Sequence, residues 1–314
     1  MREGDNLDEK LRKVTIREEL KKRNHGKSVV LAKYHPKYPD SVEREYMRLA
    51  NEYMSIEREI LLKHMPELKR IINEGSAQVN ADAKNRNEEK RKLKRYELID
   101  NTFVRLKLFF EAIRREMDAA FGLYKLDRML EKIANLEHRL SVKEWKKLVK
   151  KTLGIDLLDD YYSGDIYREL LDKWVSDNVD LIKTVPRSSL GKIKELVYDN
   201  YMKGTTTTNI VKAIQMQYGM DKRHAKLIAR DQTAKLNAAI TQHQQTDVGI
   251  KRYKWDDSHD NRVRKSHRNL SGRTFYWNDP PVTDKGRRCH PGEDYQCRCV
   301  PLPIFDIDEL DLPM

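Results

Sequence analysis

The sequence predicts an α+β protein that is mostly helical, with long N-terminal helices followed by a small C-terminal α+β domain of a few short strands. Three observations carry that expectation. Glycine and proline, 13 and 10 of 314 residues, are sparse and concentrate late, so few helix breakers interrupt the first half. Apolar residues in that half recur at steps of three and four, the period of one helix face. Beyond Gly249 the pattern changes to short β-forming runs, first Ile250, Tyr253 and Trp255, then Thr274, Phe275, Tyr276 and Trp277.

Each element can be placed in turn. Pro36 and Pro39 mark an extended segment, since proline biases the residue before it toward β geometry. A long helix is expected from Asp40, with Val42, Tyr46, Leu49, Tyr53, Ile56 and Ile60 on one face, Asp40 and Glu43 spaced as a capping box, and Gly75 as its stop. Residues 83–95 hold seven basic and two acidic residues, which suits a solvated helical face, a linker or a polyanion contact. A second long helix is expected through Phe103, Leu106, Phe110, Ile113, Met117, Ala120, Leu126, Leu130 and Ile133. Ser141 with Glu144 opens a shorter one that stops at Gly154. Such helices must bury their stripes against neighbours, so residues 1–185 read as a bundle or stalk.

Around Pro186 the punctuation changes, and residues 186–303 read as one compact α+β domain. Ser188 and Ser189 cap a helix through Leu190, Ile193, Val197 and Tyr201 that Gly204 ends. The run Thr205–Thr208 forms a turn and cap. A short helix then stops at Gly219, and Asp221 caps a longer one carrying Ala225, Ile228, Ala229, Ala234, Leu236 and Ile240. The last eleven residues, 304–314, carry four acidic and no basic side chains. This acidic tail, with Ile304, Phe305, Ile307, Leu310 and Leu312, either docks on a partner, folds back on the basic domain, or is a disordered end.

Composition narrows the classes of function. Against 50 acidic residues stand 62 basic ones, a balance of +12 with an isoelectric point near 9.3. That favours an acidic polymer as partner, although charge speaks to association and not to fold. Mean hydropathy is −0.83, and no apolar run approaches the roughly 18 residues of a spanning helix. The charged start MREGDNLDEKLRKV lacks the apolar stretch of a signal peptide, which points to the cytoplasm. Three cysteines are too few and too odd for a disulfide framework. No P-loop, Rossmann fingerprint or Ser/His/Asp arrangement stands out.

The informative segment is 255–303, which contains all three cysteines, Cys289, Cys297 and Cys299, and the histidines His259, His267 and His290. Convergent N and S donors are what a tetrahedral zinc site needs. Cys297 and Cys299 are not a C-x-x-C pair, but side chains at i and i+2 of a strand share a face. Reduced structural thiols and a disulfide from Cys289 to one of the other two stay open beside the metal. Arg230, with Asp256, Asp257 and Asp260, can form an Arg–carboxylate network that pins a loop to a helix, or the carboxylates can hold a metal. Gly272 suits a positive φ between the two β runs. Trp255, Phe275, Tyr276 and Trp277 read as core before they read as a base-stacking platform.

At these residues a resemblance emerges. Ile228-Ala229-Arg230, Tyr253-Lys254-Trp255, Asp260-Asn261-Arg262, Leu270-Ser271-Gly272, Pro291-Gly292 and Cys297-Arg298-Cys299 follow one another in an order that resembles the Mu F-like head morphogenesis proteins of tailed bacteriophages. The helical part from Gly204 to Ile210 fits as well, so the likeness runs over about residues 190–303. Asp231-Gln232 stand where that family often has Thr-Glu. Arg264 takes the place of a first family cysteine and His267 that of a second. The metal set that the resemblance then implies is His267, Cys297 and Cys299, completed by Cys289 or His290, with zinc as the candidate ion and no organic cofactor.

The resemblance implies a non-enzymatic minor head protein, located inside the virion and assembled in the host cytoplasm. It would act in head morphogenesis and in DNA packaging or ejection. Implied partners are a portal protein, capsid or scaffolding proteins, and double-stranded DNA bound without sequence preference. Charge marks Lys90, Arg91, Lys92, Lys94 and Arg95, and Arg262, Arg264, Lys265, Arg268, Arg287 and Arg288, as DNA-contact candidates. Two other readings remain: an HNH-like metal nuclease built from His259, Asp260, Asn261, His267 and His290, and a cytoplasmic adaptor whose helices bind a partner protein.

Overall fold

The structure, a computed structural model, describes residues 3–82, 88–157, 164–259 and 261–311. Its elements run α1 (Glu3–Arg23), β1 (Val29–Leu31), α2 (Asp40–Asp82), α3 (Glu88–Leu123), α4 (Leu126–Leu153), α5 (Asp165–Met202), α6 (Thr207–Asp247), β2 (Arg252–Asp256), α7 (Lys265–Leu270), β3 (Thr274–Tyr276) and β4 (Val300–Asp306). Long helices and a small antiparallel sheet of four strands make the mostly helical α+β fold that the residue pattern predicts.

Contacts divide the chain into two compact units, each discontinuous in sequence. Residues 1–46, 130–176 and 230–314 form a sheet unit, and residues 47–129 and 177–229 a helical unit. Segments on both sides of residue 185 contribute to each.

Four helix segments build the helical unit. Ile60, Leu68, Ile71 and Ile72 of α2, Leu106, Phe110, Ile113 and Met117 of α3, Leu190, Ile193, Val197 and Tyr201 of α5, and Ile210 and Ile214 of α6 share one apolar core. These are stripes at three- and four-residue spacing, each covering its neighbours. Gly75 does not stop α2, which continues to Asp82. A Cβ at Gly75 would lie 2.5 Å from both Thr102 Oγ1 and Tyr201 OH, so this glycine lets three helices approach closely.

Other boundaries also moved. The second long helix breaks at Leu123–Leu126, where Tyr124 leaves the helix to stack edge-on against Tyr53, with its hydroxyl 3.2 Å from Glu52 Oε2. Ser141 opens no helix and lies inside α4. Pro186 and Gly219 likewise sit inside α5 and α6. At Pro186 the buried stripe Ile182, Val185, Leu190 and Ile193 runs through without interruption, and that burial outweighs one lost backbone hydrogen bond. Asp221 takes Lys192 Nζ at 3.1 Å and Gln217 Nε2 at 2.9 Å instead of capping a new helix. Gly154, Gly204 and Gly249, with φ near +75°, +69° and +82°, do end their helices.

In the sheet unit the strand order is β1-β4-β2-β3. β4 is central: Val29–Leu31 pairs with Ile304–Asp306 on one side, and Arg252–Asp256 with Val300–Ile304 on the other. Its two prolines are tolerated because of register. Pro303 O accepts from Ala32 N and Pro301 O from Gln245 Nε2. The missing N–H of each therefore falls on the side away from β2, so the β2 ladder loses nothing, and at Pro303 the one bond forgone is to Ala32, just past the end of β1. The acidic tail folds back: Ile304–Asp306 lies in β4, Phe305, Ile307 and Leu310 are buried, and Asp308 and Asp311 pair with Lys21 and Lys13. Leu312 lies outside the described residues.

Candidate functional site: a histidine–cysteine cluster beside an arginine-lined cavity

The sheet places the chemistry. On β2 the inward positions Tyr253 and Trp255 pack with Leu270, Trp277, Cys297 and Cys299 into a small core, with Phe275 partly buried against it. Of Trp255, Phe275, Tyr276 and Trp277, the two tryptophans are thus core residues, Phe275 is half-buried against them, and Tyr276 is exposed. α7 carries His267 into this core, where the Trp255 ring meets its imidazole edge-on at 5.4 Å.

His267 is the hub of the cluster. Its Nδ1 lies 3.4 Å from Cys297 Sγ and 3.5 Å from Cys299 Sγ, and its Nε2 lies 3.2 Å from Asp294 Oδ2. All four residues are buried. Cys297 Sγ also accepts the backbone N–H groups of Gly292 at 3.3 Å and Cys299 at 3.4 Å. Gly292 has φ +87° and would place a Cβ 2.8 Å from Ala238 Cβ, so only glycine can present that amide. Contact with Cys299 and with His267 pulls the Cys297 thiol well below its ordinary range, against its burial. The same Cys297 contact and burial push Cys299 up. Burial works against protonated His267, but Cys297 and Asp294 outweigh it and raise the imidazole.

Asp294 anchors the other side. Burial opposes its ionisation, yet the Tyr295 amide, Arg287, His267 and Arg264 hold it below the usual carboxylate range. Arg287 gives both Nε and Nη2 to Asp294 Oδ1, at 3.1 and 2.7 Å. Arg264 Nη1 reaches Asp294 Oδ2 at 3.4 Å and its Nε reaches Asp284 Oδ2 at 3.3 Å.

Of the four metal-ligand candidates, three converge. The donor atoms of His267, Cys297 and Cys299 lie within 4.8 Å of one another, and His267, Asp284 and Asp294 form a second such group. Cys289 belongs to neither: its thiol is half-buried near Thr283 and is raised mainly by burial. His290 is also elsewhere, its Nδ1 2.8 Å from Tyr253 OH and its imidazole held down by burial. Asp294, whose carboxylate faces the far nitrogen of His267, was missed by sequence reasoning, because nothing in the spacing Cys289–Asp294–Cys297 separates it from a surface aspartate.

The Arg–carboxylate network takes a different partner from the one expected. Arg230 Nε donates to Glu43 Oε1 at 3.0 Å, and Arg298 Nη2 to Glu43 Oε2 at 2.7 Å, with the Arg298 guanidinium 4.7 Å over the Tyr38 ring. Glu43 is therefore a buried bridge between two arginines and not a capping-box residue. Asp256 instead meets His35 Nδ1 at 2.9 Å and His259 Nε2 at 3.1 Å, while Asp257 Oδ1 accepts the His259 amide at 2.7 Å. Asp260 lies outside the described residues. Among the described residues, neither group of convergent donor atoms contains His259 or His290.

Arg230, Arg262, Arg264 and Arg298 line a cavity of about 250 Å³ whose wall also includes His267, Cys297 and Cys299. Among the DNA-contact candidates, Arg264 and Arg287 are engaged with Asp294 as above, and Arg288 pairs with Asp279. Arg262, Lys265 and Arg268 are exposed. Lys90, Arg91, Lys92, Lys94 and Arg95 lie in α3 by their backbone, and their side chains are outside the described residues. No described helix is long and apolar enough to cross a membrane.

Comparison with known proteins shows what the region is similar to. An uncharacterized protein of Haemophilus influenzae is 36% identical over 162 residues, which is 51% of this chain and 35% of the relative. The chain thus spans about a third of the length of that curated relative. No solved structure gives a significant match. A family model, Phage Mu protein F like protein, matches residues 191–302. That stretch begins inside α5, takes in α6, β2, α7 and β3, and ends at Leu302 in β4. The ordered motifs from Ile228 to Pro301 and the family model agree: across residues 191–302 this chain is similar to the Phage Mu protein F like proteins.

Proposed function

We propose that this protein is a minor head protein of a tailed phage that acts in head morphogenesis, contacts the portal, and binds packaged DNA without sequence preference. The observation that carries this reading is the family match over residues 191–302, which contains the histidine–cysteine cluster and both arginines bridged by Glu43. Charge supplies the physical route to DNA. The balance of +12 persists over the full sequence, and Arg262, Lys265 and Arg268 stand exposed in one short stretch. Cations of this kind neutralise phosphates and release counterions, giving affinity that depends on salt and not on sequence. We read the role as structural; in support, among the described residues neither group of convergent donor atoms contains His259 or His290, two residues of the metal-nuclease reading.

The test has three arms. Full-length protein titrated with random-sequence duplex DNA at increasing salt is expected to lose affinity steeply, with a slope that falls when Arg262, Lys265 and Arg268 are changed together to Gln. Binding that is flat across salt, or none at low salt, removes the DNA part of the proposal. Fractionation of purified particles is expected to recover the chain with the head, and its absence there removes the head assignment. Plasmid incubated with the protein and Mg²⁺ or Mn²⁺ is expected to stay intact.

A further inference from the structure

We propose that His267 Nδ1, Cys297 Sγ and Cys299 Sγ bind one zinc ion, with Asp294 orienting the histidine and the fourth position open to the arginine-lined cavity. A neutral imidazole whose Nε2–H donates to Asp294 has one lone pair, at Nδ1. Two buried sulfurs face that single lone pair, at 3.4 and 3.5 Å. One thiol S–H can use it, which leaves the other only the neighbouring sulfur, a weak acceptor. A cation at the centre satisfies all three atoms together.

The distances suit zinc. Zn–S bonds of about 2.3 Å and Zn–N bonds of about 2.0–2.1 Å, at a tetrahedral angle, place N and S roughly 3.5 Å apart. The surroundings are those of a thiolate ligand set. Two backbone amides, from Gly292 and Cys299, point at Cys297 Sγ, and amide hydrogen bonds to a ligating sulfur stabilise its negative charge. Asp294 on Nε2 is the carboxylate partner that fixes tautomer and ring orientation in metal-bound histidines. Asp294 is in turn held by Arg264 and Arg287. On binding, Cys297 and Cys299 release their thiol protons to solvent, so two thiolates balance the 2+ charge. The cavity lined by Arg230, Arg262, Arg264 and Arg298 reaches the same three donors. A water or an anionic oxygen there completes the tetrahedron.

Full-length protein purified under reducing conditions is expected to carry one zinc per chain by elemental analysis. Replacing zinc with Co²⁺ is expected to give thiolate-to-cobalt charge-transfer absorption together with the intense visible bands of tetrahedral cobalt. The Cys289→Ser variant keeps one equivalent of metal and the same cobalt spectrum, while Cys299→Ser loses both. Because the wild-type spectrum and Cys289→Ser do not depend on whether Cys299→Ser folds, each can fail on its own. Three results would overturn the assignment: a chain that takes up neither zinc nor cobalt stoichiometrically, cobalt bound without a thiolate band, or metal lost in Cys289→Ser.

Discussion

The two units are held together by different physics. In the helical unit, apolar stripes of four helix segments cover one another, and the close approach at Gly75 shows how tightly. In the sheet unit, segments far apart in sequence are joined by charge and by β pairing. Glu43 links Arg230 to Arg298, β1 pairs with β4, and Arg17 donates to Leu310 O at 2.9 Å. The difference bears on the family match. Arg230 and Arg298 fall within residues 191–302, but their shared carboxylate and strand β1 do not. The matched stretch is completed by the chain's first forty-odd residues, which is why the tests above use the full chain.

Glu43→Ala is expected to weaken the charge-held part of the sheet unit most. It leaves two guanidinium groups without their carboxylate in a largely dry setting. Losing one partner of a buried pair costs about 3–5 kcal/mol, discounted to about 2–4 because Arg230 and Arg298 retain some solvent contact. Urea unfolding of the full chain checks this, and a midpoint unchanged from wild type contradicts the bridge. Glu43→Gln, which keeps acceptor oxygen but no charge, is expected to fall between.

The units share one feature that pH can expose. Glu57 in the helical unit and Glu137 in the sheet unit are fully buried; both carboxyl oxygens of Glu137 lack a hydrogen-bond partner, and Glu57 has only the Ser189 hydroxyl beside it. Burial raises each to about 8, so both are neutral in the fold near pH 7. The folded state then holds protons that the unfolded chain releases above an ordinary glutamate value near 4.5. Stability is full below that value, falls as pH rises through the window, and levels off above about 8. Each unit of pH costs at most about 1.4 kcal/mol per buried glutamate, and relaxation brings the total for one residue to about 2–3 kcal/mol. Glu57→Gln is expected to flatten the pH dependence of the urea midpoint and to raise it above pH 7. Parallel curves for variant and wild type contradict a neutral Glu57.

What was legible in the residues follows the same division. Stripes such as Leu106, Phe110, Ile113 and Met117 are local, and the helical unit's core could be read from them directly. Strands β2 and β3 were legible because they neighbour one another in sequence and alternate inward and outward. β1 was not, because Val29–Leu31 is three residues long and its partner lies at Ile304–Asp306, across nearly the whole chain. The same distance hid Glu43, whose spacing from Asp40 fits a capping box equally well. At the cluster, His267, Cys297 and Cys299 could be gathered from residue type. Cys289 could not be excluded that way, since the turn Pro291-Gly292 decides which side chains face inward.

Helix-interior glycines give the last contrast, since Gly75 and Gly219 read alike as stops in the sequence and neither stops its helix. A Cβ added at Gly75 meets Thr102 Oγ1 and Tyr201 OH at 2.5 Å and Thr102 Cγ2 at 2.9 Å. The threonine and tyrosine are hydrogen-bonded to each other at 3.2 Å and buried, so neither can swing aside cheaply. Overpacking of this kind costs about 1–3 kcal/mol. Against it stands the gain of about 1 kcal/mol from replacing a helical glycine by alanine. Gly75→Ala is therefore expected to destabilise by about 1–2 kcal/mol. At Gly219 the nearest atom to an added Cβ is a guanidinium nitrogen of Arg223 at 4.0 Å, the mobile end of an exposed side chain. There the propensity gain is unopposed, and Gly219→Ala is expected to stabilise by up to about 1 kcal/mol. Thermal or urea unfolding of the two variants side by side checks the sign of each. If both shift the same way, the close approach of helices at Gly75 does not govern that position, and helix propensity alone does.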